Sequence, residues 1–476
     1  MTARVSAQSD LHCESTNIPG LLVLRLPVHE DSRGWFKENW QRAKMTAVGL
    51  PPFVPVQNNI SFNATRGATR GVHAEPWDKF VSVASGRVFG AWVDLREGPT
   101  FGQTFWLELD PSVAVFVPRG VGNAFQTLED STAYTYLVND HWSANALDEY
   151  TFVNLADQRA GIPWPIALDS PCVEMSDKDR QHPDLEHVTP MAPRKILILG
   201  ADGQVGRALR QVAARQERQD CEFLTRADCD LEDPHCFDGI HWGAYRAVIN
   251  AAAYTAVDEA ETPDGRRRAW AVNAAGSARL VRATRGAGVT LLGFSSDYVF
   301  DGEQDEHDED EAPAPLGVYG QSKAAGDLAL QSAPQHYIVR TAWVVGDGAN
   351  FVRTMAGLCE RGVSPSVVSD QVGRLSFAED LAAAALHLVD GTAPFGTYNV
   401  TNTGDPVSWA DIAREVFAAV GSREDAVVPV TTEEYFGERS GAAPRPLQST
   451  LDLAKITSAG FTPPSWRDRL HEYLRQ

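Results

Sequence analysis

KILILGADGQVGRALRQVAARQ (195–216) sets an apolar run against three glycines and then a stretch with helical spacing. Lys195–Leu199 read as a buried strand, and Leu209, Val212 and Ala213 recur at the three- and four-residue intervals of one helix face. Between them Gly200, Gly203 and Gly206 form a turn in which the backbone can approach a pyrophosphate, whose charge then rests at the helix N-terminus. The glycine spacing alone also fits an ordinary turn; the flanking strand and helix favour a dinucleotide. Downstream, AVINAAA (247–253), VTLLGFSS (289–296) and YIVRTAWVV (337–345) alternate with helical segments. That alternation predicts a parallel sheet with helices on both faces.

Nearly two hundred residues precede this opening, and their pattern is different. In VFGAWVDL (88–95), Phe89, Ala91, Val93 and Leu95 share a face; in SVAVFV (112–117), Val113, Val115 and Val117 do. Turn signals such as EDSRG and REGPT separate these short runs, and no convincing long helix lies between them. An antiparallel sandwich or barrel is expected. The polar, proline-containing SDKDRQHPDLEHVTPMAPR (176–194) reads as the connection, and the acidic run DGEQDEHDEDEAPAP (301–315) as a solvated loop without chemistry.

With 476 residues, two or three domains are expected. The net charge of −21 argues against a nucleic-acid or anionic-membrane partner, since either needs a basic face. Six scattered cysteines without a C-x-x-C pair fit thiols in a reducing compartment better than disulfides or zinc. The N-terminus lacks an apolar signal core and no run reaches the roughly 18 apolar residues of a membrane span, so a cytoplasmic protein is expected.

Tyr319 and Lys323 are four residues apart, which on a helix places both side chains on one face. A neighbouring ammonium is expected to lower the tyrosine's pKa towards that of a working acid. By itself the pair also fits a surface contact. Ser296 and Asp297, at the end of VTLLGFSS, fall at the carboxyl edge where ligands of such sheets bind. A hydroxyl, a phenol and an ammonium together can polarise a ketone and protonate its oxygen as hydride arrives. CEFL (221–224) reads as the second strand; the following Arg226 suits a 2′-phosphate, so NADPH is expected before NADH.

In the first half, His73 is surrounded by Arg66, Arg70 and Lys79, a basic cluster in an acidic chain. A lone histidine in a strand-rich domain is more often a packed or surface residue than a base. Tyr136 offers an acid, and Asp157 a carboxylate to orient the imidazole. Base, acid and cation are what proton exchange beside a carbonyl requires.

Residues 194–476 resemble the extended short-chain dehydrogenase/reductase family and, within it, the dTDP-4-dehydrorhamnose reductases. The matching stretches are GADGQVG (200–206), DCDLED (228–233), NAAAYTAVDEAE (250–261), SSDYVFDG (295–302), VYGQSKAAGD (318–327), VRTAWVVG (339–346), DQVGRLSF (370–377) and PRPLQSTLD (444–452). The resemblance implies that Gly203, Gln204, Val205, Asp230, Leu231, Ala252, Ala253 and Tyr254 line the dinucleotide with Tyr319 and Lys323. It implies that Ser296, Asp297, Trp343 and Arg374 lie near the sugar nucleotide, and it leaves room for Mg2+. This chain has Ser296 where the family has threonine, and Arg374-Leu375 where it has Arg-Pro.

Residues 18–166 resemble the dTDP-4-dehydrorhamnose 3,5-epimerases, jelly rolls of the cupin type. The matches are DSRGWFKE (31–38), QNNIS (57–61), RGATRGVHAE (66–75), KFVSVASGRVFGAWVDLREGPTFG (79–102), FVPRGVGNAFQTLED (116–130) and ADQRAGIPWP (156–165). The resemblance implies His73 as base, Tyr136 as proton donor and Asp157 as carboxylate, with Arg33, Glu38, Gln57, Asn59, Arg70 and Lys79 at the substrate. Asn123 replaces the family's histidine, and Trp142 its thymine-stacking tyrosine.

Together these imply two domains. An all-β cupin-type jelly roll over 1–186 is followed by a linker over 187–193. An α/β Rossmann-type doubly wound parallel sheet with a small C-terminal substrate-binding part then fills 194–476. The expected activity is epimerisation of dTDP-4-dehydro-6-deoxy-D-glucose at C3 and C5, then reduction at C4 to dTDP-L-rhamnose, in a homodimer. Three alternatives stay open: inversion at one carbon only, a non-catalytic binding or dimerisation module in the first half, and a cofactor-recycling epimerase or dehydratase in the second.

Overall fold

Apolar residues bury both faces of the central N-terminal strands Val88–Asp94 and Val113–Val117. The structure, a computed structural model, describes residues 10–51, 53–141, 149–421, 424–437 and 441–475. Contacts divide the chain into two compact units, passing from one to the other between Pro193 and Arg194.

The first unit holds two antiparallel sheets. One runs, in spatial order, His12–Ser15, Leu22–Arg25, Val113–Val117, Lys79–Ser85, Thr132–Val138 and Gln57–Asn63. The other runs Thr151–Phe152, Thr69–Ala74, Val121–Thr127, Val88–Asp94 and Thr104–Leu109. Val113, Val115 and Val117 from the first pack against Val88, Trp92, Leu109 and Phe125 from the second, which makes the pair a sandwich. The alternation Phe89, Ala91, Val93, Leu95 is buried too, but on the opposite face. There it is covered by Val153, Leu155, Ala160, Leu185 and Met191 from the unit's C-terminal stretch. That stretch includes the segment read as connection: within it Ser176 caps a helical turn, Asp177–Arg180.

The second unit is built on six parallel strands in the order Cys221–Leu224, Lys195–Leu199, Tyr245–Asn250, Thr290–Ser296, His336–Thr341, Gly396–Asn399. Helices Gln204–Arg215 and Ala378–Asp390 pack on the face carrying Ile196, Ile198, Ile249 and Leu292. Helix Val318–Gln331 packs on the other, where Leu330 lies against Gly293 so closely that a Cβ there would meet it at 2.4 Å. The strand order reverses between Lys195–Leu199 and Tyr245–Asn250, which opens a crevice at their carboxyl ends. A smaller core, including Val345, Leu375, Ile412, Phe417 and Trp466, gathers the helices Phe351–Glu360, Trp409–Ala419 and Trp466–Leu474.

The acidic run is not a freely solvated loop. His307 is fully buried, stacked on Phe300 at 4.5 Å, with Nδ1 2.7 Å from Glu311 and Nε2 3.2 Å from the Gln448 carbonyl. Glu309 accepts from the Asn399 amide. A periodicity argument cannot foresee such pinning, because the partners lie far along the chain.

Candidate functional sites in the two units

In the first unit, both sheets contribute to one cleft of about 1270 Å³. His73 comes from Thr69–Ala74, where its register partners are Asn123 and Phe152; Tyr136 comes from Thr132–Val138 on the other sheet. The imidazole is one-third exposed, so a ligand can reach it. Its Nε2 lies 2.9 Å from Asp179 Oδ1.

Asp179, not Asp157, is the carboxylate at His73. Asp157 accepts instead from the backbone amides of Leu185 (2.5 Å) and Arg159 (2.8 Å), stabilising the turn after Val153. Asp179 was missed because it lies beyond 18–166 in a polar stretch; its one signal was the capping pattern Ser176-x-x-Asp179. Burial would raise its carboxyl, but the hydrogen bond and charge of His73 outweigh that and hold it below the ordinary value. His182 also lines the cleft, and burial and then the charge of His73 push its pKa down.

Burial and then the charge of Glu75 raise the Tyr136 phenol, so it stays protonated at neutral pH. Lys79 lies 5.9 Å from the Tyr136 ring and is paired at 2.8 Å with Glu75, a partly buried neighbour that sequence reasoning had not singled out. Asn123 Oδ1 accepts from the buried Tyr134 hydroxyl at 3.0 Å, so the asparagine is a fixed acceptor at the cleft wall. Arg70 lines the cleft and donates to Asn63 at 3.2 Å. Gln57 and Asn59, joined at 2.9 Å, lie on the strand beside Tyr136. Arg33 and Glu38 are not brought into this cleft: Arg33 is held by Asp31 on an exposed hairpin, and Glu38 by Lys44. Trp142 lies outside the described residues.

In the second unit, Ser296 ends its strand at the crevice, and Tyr319 and Lys323 share a face of Val318–Gln331. Lys323 Nζ donates to the Phe294 carbonyl at 2.5 Å. Tyr319 is buried, with the Tyr298 ring edge-on at 5.5 Å. The expected depression of its pKa is not found: burial pushes the phenol up, and Lys323 is itself pushed down by burial. Desolvation outweighs the opposing hydrogen bond from Ser296, and the phenol is kept protonated. Ser296 Oγ donates to Asp297 at 2.8 Å, and burial pushes the Asp297 carboxyl up to about 6.

A dinucleotide fits the crevice. A Cβ on Gly206 would meet the Gly200 oxygen at 2.2 Å, and one on Gly200 the Ala252 nitrogen at 2.5 Å, so both must be glycine for the turn to close. Gly203 has no contact that close, its nearest being 3.3 Å, and precedes a helix whose first turn, begun by Gln204 and Val205, carries no acid. Asn250 orients the Ala252 amide, and Asn273 clamps Tyr254 through both its backbone groups, with Ala253 between. Leu231 is buried, while Asp230 is engaged by Arg226. Arg226 and Arg268 converge on Glu232, and Arg268 also covers the Tyr254 ring at 5.2 Å; this second arginine was not foreseen.

Arg374 is not brought to Ser296 and Tyr319. Its guanidinium donates to the Gly404 and Leu451 carbonyls at 2.8 and 3.0 Å, while Leu375 is buried in the smaller core. Trp343, at φ +50°, is stacked on Trp409 at 3.8 Å. Among the described residues, the only group of three His, Cys, Asp or Glu close enough to share an ion is His73, Asp179 and His182.

Residues 194–476 match the family model described as RmlD substrate binding domain, and residues 15–187 match dTDP-4-dehydrorhamnose 3,5-epimerase. The protein RmlC homolog of Streptococcus pyogenes serotype M6 is 47% identical over 38% of this chain and 93% of its own length. The dTDP-4-dehydrorhamnose reductase of Mycolicibacterium smegmatis is 37% identical over 59% of this chain and 84% of its own. A solved dTDP-4-dehydrorhamnose reductase from Bacillus anthracis str. Ames, in complex with NADP, is 32% identical. It superposes with a TM-score of 0.55 over 60% of this chain and 99% of that one. The chain is therefore a fusion, belonging to the dTDP-4-dehydrorhamnose 3,5-epimerase family in its first unit and to the RmlD family in its second.

Proposed function

We propose that the chain is a bifunctional enzyme, with a cupin-type jelly roll that epimerises dTDP-4-dehydro-6-deoxy-D-glucose and a Rossmann-type unit that reduces the product to dTDP-L-rhamnose. The observation that carries this is the His73–Asp179 pair in one cleft with the Tyr136 phenol, in a chain that also holds Ser296, Tyr319 and Lys323 at a sheet edge.

In the first unit, His73 takes the proton from the carbon next to the ketone, and Asp179 stabilises the imidazolium that forms. Tyr136 returns a proton from the other sheet. Lys79 supplies positive charge beside the phenol, tempered by Glu75. The acidic chain provides few other cations, so Arg70 at the cleft is the candidate for the diphosphate.

In the second unit, the glycine turn and the Ala252–Tyr254 segment would hold NAD(P)H, which when bound would supply the hydride for C4. Tyr319 delivers the proton to the ketone oxygen, and Ser296 orients that oxygen. Lys323 braces the end of the helix turn against Phe294 and supplies charge when the phenolate forms. Arg226 and Arg268, both on Glu232, favour the 2′-phosphate of NADPH, which would compete with that carboxylate. A homodimer is supported by the edge strand Gln57–Asn63, on which Ile60 and Phe62 are 67% and 63% exposed.

The test is to supply the full chain with dTDP-4-dehydro-6-deoxyglucose and NADPH in D2O, then to read the product by NMR. Deuterium at both C3 and C5 of a dTDP-L-rhamnose supports the proposal. Deuterium at one carbon makes it a single-carbon epimerase, and reduced product without deuterium a binding module fused to a reductase.

A further inference from the structure

His182 has no part in the proton transfers above. It lies just past the helical turn Asp177–Arg180, its ring stacked on Phe152 at 4.6 Å and edge-on to His73 at 5.4 Å. Its Nδ1 is buried with no hydrogen-bond partner among the described residues, an arrangement that costs free energy unless something satisfies the nitrogen. Donor atoms of His73, Asp179 and His182 all lie within 4.8 Å of one another.

Two imidazoles and a carboxylate are the donor set of a borderline divalent ion; Mg2+ and Ca2+ would want oxygens. Donors around tetrahedral zinc stand roughly 3.4 Å apart. His73 and Asp179, at 2.9 Å, are already within that span. His182, within 4.8 Å of both, has at most about 1.4 Å to close, and its contacts with Phe152 and His73 are ring contacts that leave it room to shift. All three line the open cleft, so an ion can enter and keep a coordination position facing it.

We propose that His73, Asp179 and His182 bind a zinc-class divalent cation, and that the bound ion switches off the epimerase reaction. The inhibitory half rests on the epimerase reading; the binding half does not. Coordination replaces the hydrogen between His73 Nε2 and Asp179 with the metal. The imidazole is then no longer free to take up a proton from the substrate, and Asp179 is no longer its counter-ion. No redox change is involved: two nitrogen lone pairs and one carboxylate are donated, and the hydrogen displaced from His73 Nε2 passes through solvent to Nδ1, so the neutral ring has no nitrogen left to act as a base.

The experiment uses the full chain, freed of metal by a chelator that is then removed, and titrated with Co2+. One equivalent should bring the visible bands of a four-coordinate nitrogen–oxygen site, without the sulfur charge-transfer bands that binding to free thiols would give. In His182→Ala and, as a milder change, His182→Gln, Co2+ affinity should fall roughly tenfold or more; circular dichroism confirms that both fold. Equal Co2+ binding by wild type and both variants, or none by wild type, overturns the site. Zn2+ should stop deuterium uptake at the substrate, and chelator should restore it. Undiminished uptake with the site filled overturns the inhibition. No uptake even in the chelator-treated enzyme would instead remove the epimerase reading, leaving the Co2+ result to decide the site.

Discussion

Asp179 and Asp157 are separated by 22 positions, yet only one can act on His73, and substitution distinguishes them. Asp179→Asn should slow deuterium uptake by about 10²–10⁴, the usual worth of a group in acid–base catalysis. Asp157→Asn should leave uptake within about threefold while costing about 1 kcal/mol of stability, since it removes only backbone hydrogen bonds. Exchange rates by NMR and urea unfolding read the two effects. Asp297 permits a test by pH. Its carboxyl is raised to about 6 by burial, above its value in an unfolded chain. Its contribution is therefore most favourable below the unfolded value and is lost as pH rises through about 6. The stability difference between wild type and Asp297→Asn should shift by about 3 kcal/mol from about pH 4 to about pH 8, with the wild type losing ground. A difference independent of pH in urea titrations of the second unit would contradict this.

At the scale of elements, the glycine turn after Lys195–Leu199 separates folding from binding. Gly206→Ala forces a Cβ into the Gly200 carbonyl and should cost about 1–3 kcal/mol, along with cofactor affinity. Gly203→Ala, at an ordinary φ of −71° and with one contact at 3.3 Å, should unfold within about 1 kcal/mol of wild type yet bind NADPH at least about tenfold more weakly. Thermal unfolding and NADPH fluorescence titration measure the pair. The acidic segment 301–315 makes a similar point about packing. His307 anchors it between Phe300 and the Gln448 carbonyl, so His307→Ala should destabilise the second unit by about 3 kcal/mol. A solvated loop would tolerate that change.

At the scale of the molecule, each unit carries its own core, and among the described residues these clusters of buried side chains each lie on one side of Pro193. Chains 1–193 and 194–476 produced separately should therefore fold, the first retaining deuterium exchange and the second NADPH oxidation with epimerised substrate. Inactivity of a folded half would show that the fusion completes its site. The sequence by itself determined the two architectures, because strand periodicity, glycine spacing and the Tyr319–Lys323 interval are local and survive without knowledge of neighbours. It also determined which half holds each chemistry. Only the tertiary structure decided that Asp179 rather than Asp157 faces His73 and that Arg374 is engaged by carbonyls far along the chain. It also decided that burial, not the neighbouring ammonium, governs the Tyr319 proton. These are contacts and solvation energies set by side chains distant in sequence, and no interval along the chain encodes them.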